Sequence, residues 1–293
     1  MDIQKQFTTQ IRKEFSDQLT NSNFVIGVSG GVDSMALVFL FLKVKEINHD
    51  KLHIVHINHH LRPEANNDQK LVEDFCMTNH LDFKIFDWET TNSDIENQAR
   101  EFRYQSFNQV ASEFKNSVIV TAHHLDDQVE TFLMKLIRGG DWRQLAGIRV
   151  QSIRDDSKIY RPLLEFRKND LIEFAKENSL TWAEDETNLD AEYTIRNKLR
   201  NQIIPELNKL NSKSYEHIAE YAKQIGDLTS DASQKESIRL FISQQAPELS
   251  IKNDQLNQFV QLLNNPEKKQ GSIQLSNGYL LIKDGDKKFL QKS

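Results

Sequence analysis

The sequence predicts an α/β protein with a parallel sheet, followed by a smaller and mainly helical C-terminal domain. Two observations predict this architecture. Apolar, β-branched runs recur at 24–28, 52–57, 83–86 and 118–121, with helix-like stretches between them. Such alternation is typical of βαβ units with helices on both faces of a sheet. Beyond about residue 211, amphipathic helical patterns replace the alternation.

The first predicted strand runs directly into Ser29-Gly30-Gly31-Val32-Asp33-Ser34, and an apolar helix over 35–42 follows. Two glycines let the backbone turn tightly and approach a ligand closely. The free N–H groups at a helix start then form an anion site. A glycine turn capped by Asp33 or Ser34 would explain the same residue types. The order of strand, loop and apolar helix instead favours a binding site for an anionic group such as a phosphate.

The fourth predicted strand is followed by a second group of polar residues, at 123–131. His123, Asp127 and Glu130 follow helical spacings, so their side chains can share one helix face. Acidic residues in a first turn also complement the helix dipole, but this does not explain why the three converge at a strand end. Two carboxylates there would recognise an ammonium group or help to hold magnesium. A zinc site from His123 and His124 is not expected, because adjacent helical residues point apart.

Arginine pairs stand at helical spacing in two places. Arg100 and Arg103 lie on one predicted helix, and Arg196 and Arg200 lie one turn apart on another. Arginine suits bidentate contact with phosphate or carboxylate, although a solvated helix face would explain each pair taken alone. The net charge of −6 does not indicate nucleic-acid binding, but 138–168 and 196–213 are locally basic.

The later part of the chain has weaker patterns. We expect a loop at 151–158, a helix at 168–178 and an irregular segment at 181–194. The helix predicted at 195–203 is interrupted by Pro205. We also expect helices at 215–229, 235–244 and 253–263. A β-hairpin is expected to pair 272–275 with 279–282 around Asn277-Gly278.

Bulk properties limit the class of protein. A chain of 293 residues suits one α/β domain and a smaller one, which we place at 1–208 and 209–293. No apolar run approaches the roughly 18 residues of a membrane span. The first residues do not resemble a secretory signal, and the single cysteine, Cys76, excludes an internal disulfide. We therefore expect a cytoplasmic protein without a membrane partner.

The loop at 29–34 matches the S-G-G-x-D-S signature of the N-type ATP pyrophosphatases, the PP-loop superfamily. In combination with later motifs, the chain resembles the bacterial tRNA(Ile)-lysidine synthase family from about residue 23 to 205, and more weakly beyond. The motifs that carry this resemblance are His56-x-Asn58-His59-x-Leu61-Arg62, Arg100-x-x-Arg103-Tyr104, 123–131, Arg138-Gly139-Gly140, Arg161-Pro162-Leu163, Asp185-x-Thr187-Asn188 and Tyr193-x-x-Arg196-Asn197-x-x-Arg200.

The resemblance implies a Rossmann-like PP-loop ATPase domain and a tRNA-binding C-terminal domain. It implies ATP-dependent ligation of free L-lysine to C2 of the wobble cytidine of a CAU-anticodon tRNA(Ile). The route passes through an adenylated cytidine and changes codon reading from AUG to AUA. ATP and Mg²⁺ are the implied cofactors, and a homodimer is compatible with the resemblance. Many members carry a further domain, so we expect either a compact member or a shortened chain.

The resemblance also implies roles for individual residues. Ser29 to Ser34 would hold the ATP phosphates, with Asp33 near magnesium. Asp127 and Glu130 would bind the lysine ammonium group. The residues expected to line the same site are His123, Arg100 and Arg103, and those expected to contact tRNA are Arg196 and Arg200.

Three alternatives follow from the same fold. A tRNA thiolase would need a sulfur-carrying cysteine or a cysteine-bound cluster, whereas Cys76 lies in a predicted helix away from every motif. An ammonia-dependent synthetase leaves the later arginine motifs unexplained. A non-enzymatic ATP-sensing or RNA-binding module would not need Asp33, Asp127 and Glu130 together.

Overall fold

The computed structural model describes residues 2–60, 64–88, 95–184, 194–247, 249–265, 267–285 and 287–292. Six strands form one sheet in the order β3-β2-β1-β4-β6-β5, and every neighbouring pair is parallel except β5 with β6. These strands are β1 (Asn23–Gly27), β2 (Leu52–Asn58), β3 (Asp82–Asp87), β4 (Ser117–Val120), β5 (Gln151–Arg154) and β6 (Ser157–Tyr160). The predicted parallel α/β sheet is confirmed.

Helices cover both faces of this sheet. The helices up to residue 210 are α1 (Ile3–Phe15), α2 (Val32–Leu42), α3 (Ala65–Thr78), α4 (Ile95–Ala111), α5 (Leu125–Arg138), α6 (Lys168–Glu177), α7 (Ile195–Lys198) and α8 (Ile204–Leu210). One core includes Phe7, Phe24 and Phe41 and lies on the side of α1, α2 and α6. A second core lies on the opposite face and contains Val25 of β1 and Phe107 of α4. Alternate residues of β1 therefore enter different cores, as expected for a strand buried on both faces.

The segment predicted as a loop at 151–158 instead forms the β5–β6 hairpin, so that prediction is wrong. The turn is made by Asp155 and Asp156, whose φ angles are 48° and 64°. Two central residues with positive φ suit a tight hairpin turn, and aspartate tolerates that region better than most residues. The usual glycine signal is absent, and the strands are short and polar.

Two predicted helix interruptions are also wrong. Pro205 lies at the start of α8, where a missing N–H is tolerated, and a π-helical turn at Leu199–Ile203 joins α7 to α8. The helices predicted at 215–229 and 235–244 form one helix, α9 (Ser214–Gln245). The residues between them include no glycine or proline to end it.

The described residues group into two compact units, Met1–Gly140 with Gly147–Ala222, and Asp141–Ala146 with Lys223–Ser293. The division between the units falls inside α9, at Ala222 and Lys223. The domain boundary predicted between residues 208 and 209 stays a prediction. The second unit contains α10 (Asn253–Asn264) and an antiparallel sheet of β7 (Gln270–Gln274), β8 (Tyr279–Asp284) and β9 (Lys287–Lys292).

The second unit has its own core, in which Leu256 and Phe259 of α10 pack with Leu281 of β8. The predicted hairpin is confirmed, since Asn277 adopts a φ of 58° between β7 and β8. The third strand, β9, was not predicted. Among the described residues, no helix combines the length and apolarity that crossing a bilayer requires.

Candidate active site

A cavity of about 640 Å³ lies beyond the carboxyl ends of β1, β2 and β4. Ligands of open α/β sheets bind at this edge. The residues singled out by the sequence that line it are Ser29, Asp33, Ser34, Arg100, Arg103, His123, Asp127 and Arg196. The remaining predicted site residues lie next to the cavity lining. Gly30, Gly31 and Val32 belong to the same loop as Ser29 and Asp33, and Glu130 forms an ion pair with Arg200. Residues distant in sequence thus meet at one site.

The loop after β1 is held by its own hydroxyl groups. Ser29 N–H donates to Ser34 Oγ at 3.2 Å, and Ser34 Oγ donates to Gly31 O at 2.8 Å. Gly30 has a φ of +89°, a conformation that glycine adopts without strain. Helix α2 begins at Val32, and no side chain caps it at Gly31. The loop therefore presents a preformed helix N-terminus, which suits an anionic phosphate group.

Asp33, in the first turn of α2, is a partly buried carboxylate with cations on one side. Its Oδ2 lies 3.6 Å from His124 Nε2 and 3.5 Å from Lys168 Nζ. Burial alone would raise the pKa of Asp33, but His124 and Lys168 outweigh it and hold the pKa below its ordinary value. The group is therefore ionised at neutral pH.

The other oxygen of Asp33, Oδ1, is buried without a hydrogen-bond partner. An ionised carboxylate with one unpaired oxygen beside a phosphate loop fits Mg²⁺. No group of three or more His, Cys, Asp or Glu residues within the described ranges could hold a metal alone. Magnesium commonly uses one or two carboxylates together with substrate phosphates and water, so a single Asp33 suffices as the protein ligand.

Helix α5 begins with a capping box that fixes the orientation of Asp127. The His124 backbone N–H donates to Asp127 Oδ2 at 3.0 Å, and the Asp127 N–H donates to His124 Nδ1 at 3.3 Å. Burial would lower the pKa of His124, but the carboxylates of Asp127 and Asp33 raise it above its ordinary value. The imidazole thus links the two carboxylates that face the cavity.

His123 precedes this helix, so the expectation that it shares a helix face with Asp127 and Glu130 is wrong. The helix is capped at His124 and begins at Leu125. The His123 side chain nevertheless lines the cavity, and its Nδ1 lies 2.9 Å from Thr121 Oγ1. Burial lowers the pKa of His123 to about 4, so the ring is neutral at pH 7.

Glu130 is 1% exposed and is held by two guanidinium groups. Arg200 donates from Nε to Oε1 at 2.6 Å and from Nη2 to Oε2 at 3.0 Å. Arg196 donates from Nε to Glu130 Oε2 at 2.7 Å and from Nη2 to Asp127 Oδ1 at 3.3 Å. Both arginines that the sequence assigned to tRNA contact therefore pair with the carboxylates assigned to lysine. Those two assignments stay predictions.

The remaining arginine pair lies on α4. Arg100 and Arg103 are exposed and line the cavity, in positions that suit contact with an anionic group. His59, from the motif that begins at His56, also lines the cavity, whereas Arg62 of the same motif lies outside the described residues. The motif residues that also lie outside them are Leu61, Asp185, Thr187, Asn188 and Tyr193.

Sequence reasoning missed two residues of the site. Lys168, at the start of α6, reaches Asp33, and no local motif marks it, since it stood only as one of many basic residues in 138–168. The sequence marks His56 only as the first residue of the motif that ends at Arg62. It is buried against the loop, and its Nδ1–H donates to Val28 O at 2.8 Å. A histidine between the apolar residues Val55 and Ile57 was the available signal.

Comparison with known proteins decides the family. A family profile described as the PP-loop domain matches residues 3–207. The chain belongs to the PP-loop family. The chain is 36% identical to a tRNA(Ile)-lysidine synthase from Lactiplantibacillus plantarum over 223 residues, which is 75% of this chain and 49% of that protein. It is 32% identical to one from Enterococcus faecalis over 302 residues, which covers 91% and 65% of the two chains.

The predicted resemblance to this group is thereby confirmed. The chain spans less than two thirds of the length of either of these curated relatives. Among solved structures, the PP-loop chain resembles the U34-tRNA thiolase NcsA from Methanococcus maripaludis with its [4Fe-4S] cluster, with a TM-score of 0.61 and 18% identity. That match covers 76% of this chain and 78% of the thiolase, and it shows a shared fold.

Cys76 is the single cysteine of the chain, and it is buried in α3 rather than in the cavity. Burial raises the pKa of its thiol to about 12. The reactive form of cysteine is the thiolate, so this side chain is a core residue and not a sulfur carrier.

Proposed function

We propose that this protein uses ATP to ligate free L-lysine to C2 of the wobble cytidine of CAU-anticodon tRNA(Ile). The product would be lysidine, and codon reading would change from AUG to AUA. One observation carries the proposal: a single cavity joins the PP-loop to the Asp127 carboxylate, in a chain similar to tRNA(Ile)-lysidine synthases. We place this reaction in the cytoplasm.

In the first step, the C2 oxygen of cytosine attacks the α-phosphorus of ATP, and the bond to the leaving diphosphate breaks. Ser29 to Ser34 bind the phosphates, and Asp33, whose Oδ1 has no hydrogen-bond partner, would hold Mg²⁺. When bound, this ion would supply positive charge that offsets the charge on the diphosphate. Arg100 and Arg103 line the same cavity and suit contacts with phosphate oxygens.

In the second step, the ε-amine of lysine attacks C2, and a C–N bond forms. The C2–O bond breaks and the oxygen leaves on AMP. The nitrogen gives up two protons to solvent, one from the bound ammonium form before the attack and one after the C–N bond forms. Adenylation makes that oxygen a good leaving group, so one difficult substitution becomes two easier ones. Asp127 faces the cavity as a carboxylate and binds the ammonium form of the incoming amino acid.

The test is transfer of labelled lysine to purified tRNA in the presence of ATP and Mg²⁺. The tRNAs compared are a CAU-anticodon isoleucine tRNA, the same tRNA with its wobble cytidine replaced, and an initiator methionine tRNA. Label in the first alone supports the proposal together with its tRNA specificity. Label in both CAU tRNAs supports the chemistry only, and label in none despite ATP binding overturns the proposal.

A further inference from the structure

The Asp127 carboxylate already contacts a cationic side chain, Arg196, at the position where the proposed reaction would place the lysine ammonium group. We propose that Arg196 occupies the place of the lysine ammonium group on Asp127 and leaves it when lysine binds. Glu130 and Arg200 form the fixed pair that keeps the site in place. This inference rests on the proposed function, because the incoming cation is lysine.

The two arginines differ in how firmly they are held. Arg200 makes two bonds to Glu130, at 2.6 and 3.0 Å, and its side chain is 23% exposed. Arg196 makes one bond to each carboxylate, at 2.7 Å to Glu130 and 3.3 Å to Asp127, and is 39% exposed. Arg196 also lines the cavity. A bidentate, more buried pair is the stronger one, so Arg196 is the exchangeable partner.

Release of Arg196 does not leave a buried charge without a partner. Glu130 is 1% exposed, and an uncompensated charge at that depth would cost several kcal/mol. Arg200 reaches both oxygens of Glu130, so the carboxylate stays paired when Arg196 moves away. The guanidinium of Arg196 is the more exposed one and can be hydrated as it leaves.

Asp127 can change its partner without changing its position. Its Oδ2 accepts the His124 backbone N–H within the capping box of α5. Its Oδ1 lies 3.3 Å from Arg196 Nη2 and 3.8 Å from Arg200 Nη2, so Arg196 is its nearer cation, and its side chain is 15% exposed. Exchange therefore replaces the nearer cation at Oδ1, while Arg200 stays at 3.8 Å and the backbone bond at Oδ2 keeps the carboxylate oriented.

When a side chain competes with a ligand for one site, the apparent dissociation constant equals the intrinsic constant divided by the fraction of time for which the site is free. If Arg196 covers Asp127 for about nine tenths of the time, lysine binds about tenfold more weakly than it would to the open site. Removing the arginine side chain should therefore strengthen lysine binding. A residue needed only for structure would have the opposite effect.

The test compares lysine dissociation constants of the wild-type chain and the Arg196→Gln variant by calorimetry, without tRNA. We expect the constant to fall about 3- to 10-fold in the variant, and the KM for lysine in the labelling assay to fall with it. Lys198→Gln is the matched control, since it removes one positive charge from an exposed position of the same helix. It should leave the dissociation constant unchanged.

A second pair of variants separates exchange from structural support. Arg196→Lys keeps a positive charge but not the fork of a guanidinium, and should give an intermediate constant. Arg200→Gln should weaken lysine binding and lower thermal stability, because Glu130 then loses its bidentate partner. Suppose that the wild-type chain incorporates lysine, but the folded Arg196→Gln and Arg196→Lys variants bind lysine no more tightly than the wild-type chain. That result overturns this inference alone. A wild-type chain that binds and incorporates no lysine overturns the proposed function and this inference with it.

Discussion

The Glu130 carboxylate is the buried centre of the site, and its charge can be removed with little change in shape. In Glu130→Gln, both guanidinium groups lose the carboxylate they share, which is 1% exposed. Asp127 remains near them, with its Oδ1 3.3 Å from Arg196 and 3.8 Å from Arg200. Breaking a buried ion pair from one side costs about 3–5 kcal/mol. Because Arg200 and Arg196 are 23% and 39% exposed, water can solvate them in part, so we expect a loss of about 2–3 kcal/mol.

The assay is urea unfolding of the wild-type and variant chains at pH 7, followed by a thermal scan. For a unit of this size, a loss of about 2–3 kcal/mol corresponds to roughly 4–12 °C in midpoint temperature. Glu113→Gln is the control, because Glu113 pairs with Lys84 at 2.5 Å but the two side chains are 42% and 37% exposed. Such surface pairs contribute at most about 1 kcal/mol. Equal losses in the two variants would refute the argument that Glu130 is a buried, doubly paired charge.

Three further predictions concern packing and titration. Gly27→Ala places a Cβ 2.4 Å from Phe107 Cζ and should lower the free energy of unfolding by about 1–3 kcal/mol, and adding Phe107→Leu should recover part of it in a double-mutant cycle. Lys283 is 6% exposed and donates to the carbonyl groups of Leu262, Leu263 and Asn265 at 3.0–3.2 Å. Lys283→Met should therefore lower the free energy of unfolding by about 1–3 kcal/mol in a thermal scan. Lys287→Met, at an exposed position, is the control and should lower it little. Burial lowers the pKa of His59 from 6.5 to about 4, so folding disfavours its charged form and the free energy of unfolding should fall between pH 6.5 and 4. His59→Gln should flatten that fall in urea titrations, and an unchanged pH profile would contradict the assignment.

The parallel sheet and the phosphate loop are predictable because their signals are local. An apolar strand, two glycines and an apolar helix follow one another within 23–42, and each residue type has one strong conformational reason to be there. The strand ends then locate His123 and Asp127 at the same edge of the sheet as Asp33. Most of the cavity wall follows from this reasoning.

The partners of the charged groups are not predictable in the same way. Arg196 and Glu130 are 66 residues apart, and Lys168 and Asp33 are 135 residues apart. No periodic pattern connects positions at such distances, and a basic residue in a basic segment gives no sign of which carboxylate it meets. The β5–β6 hairpin was missed for a local reason, since Asp155 and Asp156 adopt positive φ without a glycine.

The most direct test of the central claim is mass analysis of the wobble nucleoside after incubation of CAU-anticodon tRNA(Ile) with the protein, ATP, Mg²⁺ and lysine. The account predicts a cytidine that has gained lysine and lost water, formed in step with AMP and diphosphate. It also predicts that Asp33→Asn loses this product, because the carboxylate beside the phosphate loop is then uncharged. An unmodified cytidine with the wild-type protein, or full modification by Asp33→Asn, would contradict the account.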